Sequence, residues 1–122
     1  MATRVLIAED EPNIVESLSF VLGREGFEVS AVLDGESALE RLRADPPDLM
    51  ILDVMLPRVN GFEVLKQVKS DPSLRSIPVI VLTAKGQAHD RRMAEELGAD
   101  GFMTKPFSNR EIVEQVRRLA RG

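Results

Sequence analysis

The 122-residue chain has no cysteine, no tryptophan and no tyrosine, and its one histidine is His89. The lack of cysteine excludes disulfides, thiol chemistry and cysteine-based zinc sites, and a single histidine excludes a multi-histidine metal site. No apolar run approaches the roughly 20 residues that a membrane-spanning helix needs. The N-terminal stretch MATRVLIAEDE lacks a signal-peptide pattern, because acids follow its short apolar run almost at once. These absences predict a cytoplasmic protein.

The charge balance is mildly acidic. The chain has 16 lysines and arginines against 20 aspartates and glutamates, a formal net charge of −4, which argues against direct nucleic-acid binding by this domain. The basic residues near the C-terminus complement the dipole of the last predicted helix and form no nucleic-acid patch; they are Arg117, Arg118 and Arg121. Residues 1–122 fit one domain that is long enough to bury a core.

Short apolar segments alternate with segments of helical periodicity along the whole chain. The predicted strands are residues 4–8, 27–32, 49–53, 79–83 and 101–104. The predicted helices are one from Pro12 that ends at Gly26, followed by 35–45, 61–70, 88–97 and 108–120. The apolar runs LMIL and VIVL are typical of strands buried on both faces. This alternation predicts an α/β fold with an open parallel sheet and helices on both sides.

Polar side chains follow four of the predicted strands. Glu9 and Asp10 follow the first, Asp53 ends the third, Thr83 ends the fourth and Lys105 comes directly after the fifth. Ligands of open α/β sheets bind beyond the carboxyl ends of the strands, at the point where the strand order reverses. Because parallel strands place these ends at one edge, we expect the five side chains to converge there.

Three carboxylates in one crevice repel each other unless cations neutralise them. Lys105 supplies one positive charge, and a divalent ion can supply the rest. Since only oxygen ligands are available, the ion should be hard, and Mg²⁺ is the best candidate. A carboxylate beside Mg²⁺, a lysine and a hydroxyl resembles a phosphoryl-transfer site. Asp53 is then a candidate nucleophile that forms an acyl phosphate.

Taken singly, each of these residues has a simpler interpretation. Asp10 can cap the first helix, Asp53 and Thr83 are common residue types at strand ends, and a lone lysine such as Lys105 is usually solvated. His89 is interpreted as an ordinary surface residue. Only their joint placement favours a functional site.

Four segments carry a resemblance to a known family. They are VLIAEDE (5–11), LMILDVMLPRVNGFEVL (49–65), PVIVLTA (78–84) and GADGFMTKPF (98–107). In this order and spacing they resemble the receiver domain of two-component response regulators, over essentially the whole chain. The resemblance implies a flavodoxin-like α/β fold, a single doubly wound five-stranded parallel sheet of order 2-1-3-4-5 flanked by five helices.

The resemblance also implies a role for each site residue. Asp53 would be the phosphoacceptor. Asp10, Asp53 and the main-chain carbonyl of Met55 would bind Mg²⁺, with Glu9 assisting through water. The residue two beyond the phosphoacceptor, Met55, and the residue two beyond the strand-end threonine, Lys85, are expected to flank the opening above the phosphoryl group.

The remaining implied roles concern the switch. Thr83 and Lys105 would bind the phosphoryl oxygens, the peptide before Pro106 would be cis, and Phe102 would be the switch aromatic. Phosphorylation would draw Thr83 inward and let Phe102 turn into the vacated space. The predicted helix over 88–97 has a thin apolar face, typical of a loosely held element that can move.

The phosphodonor implied by the family is a histidine on a separate kinase or phosphotransfer protein, and small donors such as acetyl phosphate often serve as well. The chain would catalyse only its own phosphorylation and dephosphorylation, without a metabolic substrate. Its details resemble receivers joined to winged-helix DNA-binding domains, which commonly form homodimers through the fourth helix, fifth strand and fifth helix. Arg91 and Glu111 fit that pattern, whereas Gly101 and Gln115 depart from it. Both a stand-alone receiver and one separated from an output domain remain open.

Three other functions fit the sequence less well. A phosphohydrolase of the haloacid dehalogenase type needs a second aspartate two residues after the first, where this chain has Met55. A flavin carrier needs a phosphate loop after the first strand, and the acids at 9–11 would repel phosphate. Aromatic residues to enclose a flavin are also scarce, at 4%. A phosphorylation-independent interaction module would not need the intact set of acids, threonine and lysine.

Overall fold

The computed structural model describes residues 2–84 and 88–120 and contains, within them, one parallel five-stranded sheet in the order β2-β1-β3-β4-β5. The strands are β1 (Arg4–Ala8), β2 (Glu28–Val32), β3 (Leu49–Asp53), β4 (Val79–Ala84) and β5 (Gly101–Lys105). The helices are α1 (Pro12–Arg24), α2 (Gly35–Ala44), α3 (Gly61–Ser70), α4 (Ala88–Glu96) and α5 (Asn109–Ala120). The predicted α/β fold and the strand order implied by the resemblance are confirmed.

The predicted element ends differ from the observed ones by one or two residues. β4 and β5 each extend one residue further, whereas β2 and α5 begin one residue later and α2 and α4 end one residue earlier. α1 ends at Arg24, and Gly26 reverses the chain with a φ of 91°. The main-chain N–H of Phe27 still donates to Leu22, so this residue belongs to the helix cap and not to β2.

Alternate residues of the central strands supply two separate apolar layers, one on each face of the sheet. One layer packs against α2, α3 and α4 and includes Leu6, Met50, Leu52, Val79 and Val81. The other packs against α1 and α5 and includes Val5, Ile7, Ile51, Ile80 and Leu82. All five residues of β3 are buried, because this strand has neighbours on both edges and helices on both faces.

α4 contributes much less to the core than the other helices. Among its described residues only Ala94 is buried, in agreement with the thin apolar face seen in the sequence. None of the helices in the described ranges has the length and apolar character needed to cross a bilayer.

Candidate functional site

The neighbouring strands β1 and β3 bring three carboxylates together at the carboxyl edge of the sheet. Ala8 pairs with Leu52 in the parallel register, so the residues that follow each of them are neighbours. Glu9 and Asp53 are 0% and 2% exposed, whereas Asp10 is exposed to solvent. One oxygen from each of the three carboxylates can lie within 4.8 Å of the others. Such a group of oxygen donors suits a hard divalent cation.

Lys105, at the end of β5, reaches across to these acids. Its Nζ lies 2.9 Å from Oε1 of Glu9, 3.3 Å from Oδ2 of Asp53 and 3.4 Å from Oε1 of Glu11. The lysine side chain is only 19% exposed, which is incompatible with the interpretation of a freely solvated surface lysine. The contact with Glu11 was not predicted, because an acid before Pro12 reads most simply as part of a helix start.

Burial and charge shift the ionisation of two members of this cluster. Burial raises the pKa of Glu9 to about 7, the Asp53 carboxylate adds to the rise, and Lys105 opposes it. Burial also opposes the charged form of Lys105, but Glu9 and Asp53 together raise the pKa of the lysine above its usual value. Oε1 of Glu9 has no aligned hydrogen-bond donor among the described residues, although Lys105 Nζ is close. An additional cation would therefore stabilise the ionised acids.

This arrangement predicts that the metal-free protein loses stability as the pH rises from about 4.5 to about 7. The folded-state pKa of Glu9 is about 7, against an ordinary value of 4.5, so the folded state holds its proton more tightly than the unfolded state. The stabilisation is complete below the lower value and is lost as the pH rises through the upper one. At roughly 1.4 kcal/mol per pKa unit, the full loss is on the order of 3–4 kcal/mol.

Urea denaturation in metal-free buffer at several pH values measures this effect. Glu9→Gln should flatten the pH dependence, because its neutral amide cannot titrate. Glu40→Gln, a change at an exposed glutamate of α2, should leave it intact. An unchanged slope in Glu9→Gln would contradict the assignment of the effect to Glu9.

Thr83 lies at the carboxyl end of β4, the strand next to β3. It is 4% exposed, and its hydroxyl donates a long, weak hydrogen bond of 3.5 Å to the main-chain carbonyl of Met103. In the register of the sheet, the preceding residue Leu82 is opposite Asp53. Thr83 is thus held near the acids by a contact that a stronger acceptor can easily replace.

The loop after β3 bends back over the end of its own strand. The Met55 main-chain N–H donates to Oδ1 of Asp53 at 3.2 Å, while the Met55 side chain is 74% exposed. At the start of α3, Asn60 caps the helix by accepting a hydrogen bond from the Glu63 N–H at 3.0 Å. Lys85, predicted to flank the same opening, lies outside the described residues.

The structure places the other predicted site residues as follows. Asp10 does not cap α1, because the N-cap residue is Glu11, which makes no side-chain capping bond. The peptide between Lys105 and Pro106 is cis. Phe102, on β5, is partly buried, and the Arg91 guanidinium of α4 lies 5.2 Å from the centre of its ring, a cation–π distance.

Two residues that depart from the expected dimer pattern contact each other and Phe102. The Gln115 side chain of α5 donates from Nε2 to the Phe102 carbonyl at 2.8 Å. A Cβ atom at Gly101 would lie 2.6 Å from Oε1 of Gln115, so the glutamine side chain lies in space that a side chain at position 101 would take. The sequence shows both departures but gives no reason to connect them, and this contact was therefore missed.

Comparison with known proteins agrees with this geometry. The family model of the response regulator receiver domain matches residues 5–117. The chain is 42% identical over 121 residues to the alkaline phosphatase synthesis transcriptional regulatory protein PhoP of Bacillus subtilis, covering 99% of this chain and 50% of that protein. It is also 42% identical to the phosphate regulon transcriptional regulatory protein PhoB of Escherichia coli, covering 99% and 53%.

Among solved structures, the signal receiver domain of a signal transduction histidine kinase from Syntrophus aciditrophicus superposes with a TM-score of 0.93. It is 37% identical, and the match covers 99% of this chain and 92% of that one. A five-stranded sheet of this order, with the acids at its carboxyl edge, defines a receiver fold. This chain belongs to the response regulator receiver domain family of two-component signalling. It spans about half the length of the curated relatives named above.

Proposed function

We propose that the chain, residues 1–122 as one receiver domain, is a signalling switch that accepts a phosphoryl group on Asp53. Membership of the family implies a histidine kinase or phosphotransfer protein as partner. The observation that carries the proposal is a nearly buried carboxylate at a strand end, 3.3 Å from Lys105 Nζ and grouped with Glu9 and Asp10. The direct test is the intact mass of the wild-type protein and of Asp53→Asn after incubation with acetyl phosphate and Mg²⁺. The phosphate adduct should form on the wild type alone.

The three carboxylates fit the Mg²⁺ that receiver domains typically use. Asp10, Asp53 and the Met55 main-chain carbonyl would hold the ion directly, with Glu9 acting through water. The unsatisfied Oε1 of Glu9 and the raised pKa of this residue support this assignment, because an additional cation would stabilise the ionised acids. When bound, Mg²⁺ would neutralise the acids and the incoming phosphoryl oxygens.

The residues of the chain have separate roles in the transfer. A carboxylate oxygen of Asp53 attacks phosphorus, the phosphorus–nitrogen bond of the donor phosphohistidine breaks, and the electron pair of that bond leaves with the imidazole. Lys105, which already lies near Asp53, pairs with a phosphoryl oxygen, and the Thr83 hydroxyl donates a hydrogen bond to another. Hydrolysis of the acyl phosphate by water reverses the signal, so the chain acts on its own phosphoryl group and on no metabolic substrate.

The switch would work through Thr83 and Phe102. A phosphoryl oxygen is a stronger acceptor than the Met103 carbonyl at 3.5 Å, so phosphorylation should draw the Thr83 hydroxyl away from β5. Phe102 would then turn inward, out of contact with Arg91, and reshape the surface of α4 and β5. The protein would thus exchange between two conformations, with Phe102 turned outward or inward. Phosphorylation shifts their populations only as far as the two conformations differ in affinity for the phosphoryl group.

We expect Thr83→Ala to accept phosphate on Asp53 but to couple it poorly to this surface. Beryllofluoride should mimic the phosphoryl group, and amide NMR shifts over 88–105 should report the change. The shifts should be large in the wild type and small in Thr83→Ala. A substitution at an exposed threonine of β5, Thr104→Ala, is the matched control. Equal responses in Thr83→Ala and the wild type would show that the coupling takes another route.

We also propose that the protein acts in the cytoplasm. We further propose that its active form can dimerise through the face made by α4, β5 and α5. Arg91 and Glu111 are exposed on this face, but Gln115 is turned inward onto Phe102. If dimerisation follows the switch, sedimentation velocity should show a dimer with beryllofluoride and Mg²⁺ and a monomer without them. Glu111→Lys should abolish the dimer, and a monomer under both conditions would favour a single-domain shuttle.

A further inference from the structure

Gly35, the first residue of α2, lies directly against the loop that follows β3. It is buried, and its main-chain N–H donates to the Pro57 carbonyl at 3.2 Å. A Cβ atom at this position would lie 1.7 Å from the main-chain oxygen of Val59 and 2.6 Å from its carbonyl carbon. Because these are backbone atoms, no change of rotamer can relieve the overlap, and any side chain at position 35 must displace the loop.

The same loop is also held at its far end. Gly61, the first residue of α3, donates its N–H to the Val54 carbonyl at 3.0 Å. A Cβ atom at Gly61 would lie 2.3 Å from the Asp53 carbonyl oxygen, so the loop closes tightly onto the end of β3. Between these contacts, Arg58 adopts a φ of 68°, in the left-handed region that costs a non-glycine residue roughly 1–2 kcal/mol.

Acidic residues at the start of α2 face this arginine. Arg58 Nε lies 3.9 Å from Oδ2 of Asp34, and its Nη1 lies 3.8 Å from Oε2 of Glu36. These exposed pairs are long and weak, so charge alone does not fix the loop. The close backbone contact at Gly35 is what sets the distance between the loop and α2.

We propose that Gly35 is a positioning residue for the metal site, because it fixes the course of the loop that carries the Met55 carbonyl. Met55 lies two residues before Pro57, which accepts the Gly35 hydrogen bond, and two residues after Asp53. The inference rests on the proposed function, in which the Met55 carbonyl is a ligand of Mg²⁺. Gly35, which belongs to α2 and provides no ligand atom of its own, would thus act on the site through the position of this loop.

The physical reason is the narrow geometry that Mg²⁺ accepts. The ion requires nearly octahedral ligands at about 2.0–2.1 Å, so a ligand carbonyl displaced by a fraction of an ångström binds poorly. A Cβ atom rarely approaches another atom more closely than about 3 Å, so from 1.7 Å the Val59 carbonyl must move by roughly 1 Å or more. A displacement of that size, four residues from Met55, should reach the ligand.

The test is the Mg²⁺ dissociation constant of the full chain, measured by titration of amide NMR shifts. Gly35→Ala should weaken binding by about tenfold or more, the range seen when residues that support metal ligands are lost. Gly23→Ala is the matched control, since no atom lies within 4 Å of a Cβ atom there. Val68→Ala, a change at a buried residue in the last turn of α3, controls for general loss of stability. Both should stay within about twofold of the wild type.

A folded Gly35→Ala protein with wild-type affinity for Mg²⁺ would overturn the inference. If this variant does not fold, hydrogen exchange in the wild type decides instead. Reciprocal linkage requires Mg²⁺ to tighten the contact that positions its ligand, so exchange of the Gly35 amide should slow when the metal binds. Unchanged exchange would also overturn the inference. Two other outcomes would overturn the proposed metal site itself. One is a wild-type protein that does not bind Mg²⁺, and the other is an Asp10→Asn variant that binds Mg²⁺ as tightly as the wild type.

Discussion

Asp53→Asn should abolish the phosphate adduct that the wild-type protein forms with acetyl phosphate and Mg²⁺. An amide in place of the carboxylate removes the attacking oxygen, while its size and shape are nearly the same. The fold should persist, because the change removes one of the three like charges grouped at the carboxyl edge. The expected effect is complete loss of the adduct in the intact mass spectrum, with the unfolding midpoint unchanged or raised.

A second aspartate next to the same strand supplies the matched control. Asp48 immediately precedes β3, is exposed, and accepts a hydrogen bond from the Arg4 main-chain N–H at 2.8 Å. Because it lies at the opposite end of the strand, Asp48→Asn should form the adduct as the wild type does. An adduct that persists in Asp53→Asn would place the phosphorylation site elsewhere.

Removal of Mg²⁺ should abolish the same reaction in the wild-type protein. Without the divalent ion, the Asp53 carboxylate and the incoming phosphoryl group repel each other, and Lys105 alone provides one positive charge against three acids within 3.4 Å of its Nζ. Excess EDTA should therefore prevent the adduct, and added Mg²⁺ should restore it. Equal adduct formation in EDTA would contradict the requirement for the metal.

Met55→Asn should shorten the lifetime of the phosphoryl group on Asp53 by about tenfold. The acyl phosphate is lost when a water attacks in line, opposite the Asp53 oxygen. Met55 lies two residues beyond Asp53, and its side chain is 74% exposed and so free to lie over a phosphoryl group on Asp53. A methionine there would cover the entry with a flexible apolar chain and offer little to orient a water. An asparagine can hold one by hydrogen bonds.

The energy required for this effect is small. A tenfold change in rate corresponds to about 1.4 kcal/mol of barrier, which one well-positioned water can supply. The wild-type protein should consequently keep its phosphoryl group for comparatively long, as suits a slow output such as transcription. Lys85, also predicted to flank this opening, lies outside the described residues.

The measurement follows loss of the adduct from purified phosphorylated protein in Mg²⁺ buffer after the donor is removed. Leu33→Asn is the control, because Leu33 is another exposed apolar residue, 59% accessible, in the turn that follows β2. Leu33→Asn should leave the lifetime of the phosphoryl group unchanged, because the effect is expected only from a residue that lies over that group. Equal or slower loss in Met55→Asn than in the wild type would refute the shielding argument.

The fold was predictable from sequence because its determinants are local. The continuous apolar runs of β3 and β4 and the helical spacing of the segments between strands favour the same α/β layering. The order of charged residues along the chain also located the edge at which the acids, Thr83 and Lys105 meet, because parallel strands all end on one side. Even the thin face of α4, where only Ala94 is buried, was visible in the sequence.

Tertiary structure alone decided the contacts between residues that are distant in sequence. Lys105 pairs with Glu11, 94 residues away, and burial raises the pKa of Glu9 to about 7. Neither effect has a local sequence signal, because both depend on how the folded chain buries the side chains at the carboxyl edge of the sheet. The element ends likewise shifted by a residue where strand pairing or capping outweighed the apolar pattern.

Close backbone approaches were equally beyond the reach of the sequence. A glycine at position 35 reads as a turn residue, yet it is required because the Val59 carbonyl occupies the space of a side chain. In the sequence, Gly101 and Gln115 were only two departures from the residue pattern expected of the dimer face. The structure connects them, because Gln115 packs against Gly101 and donates a hydrogen bond to the Phe102 carbonyl. Periodicity encodes which face of an element is buried, whereas such contacts depend on the exact separation of two packed elements, which only the assembled fold determines.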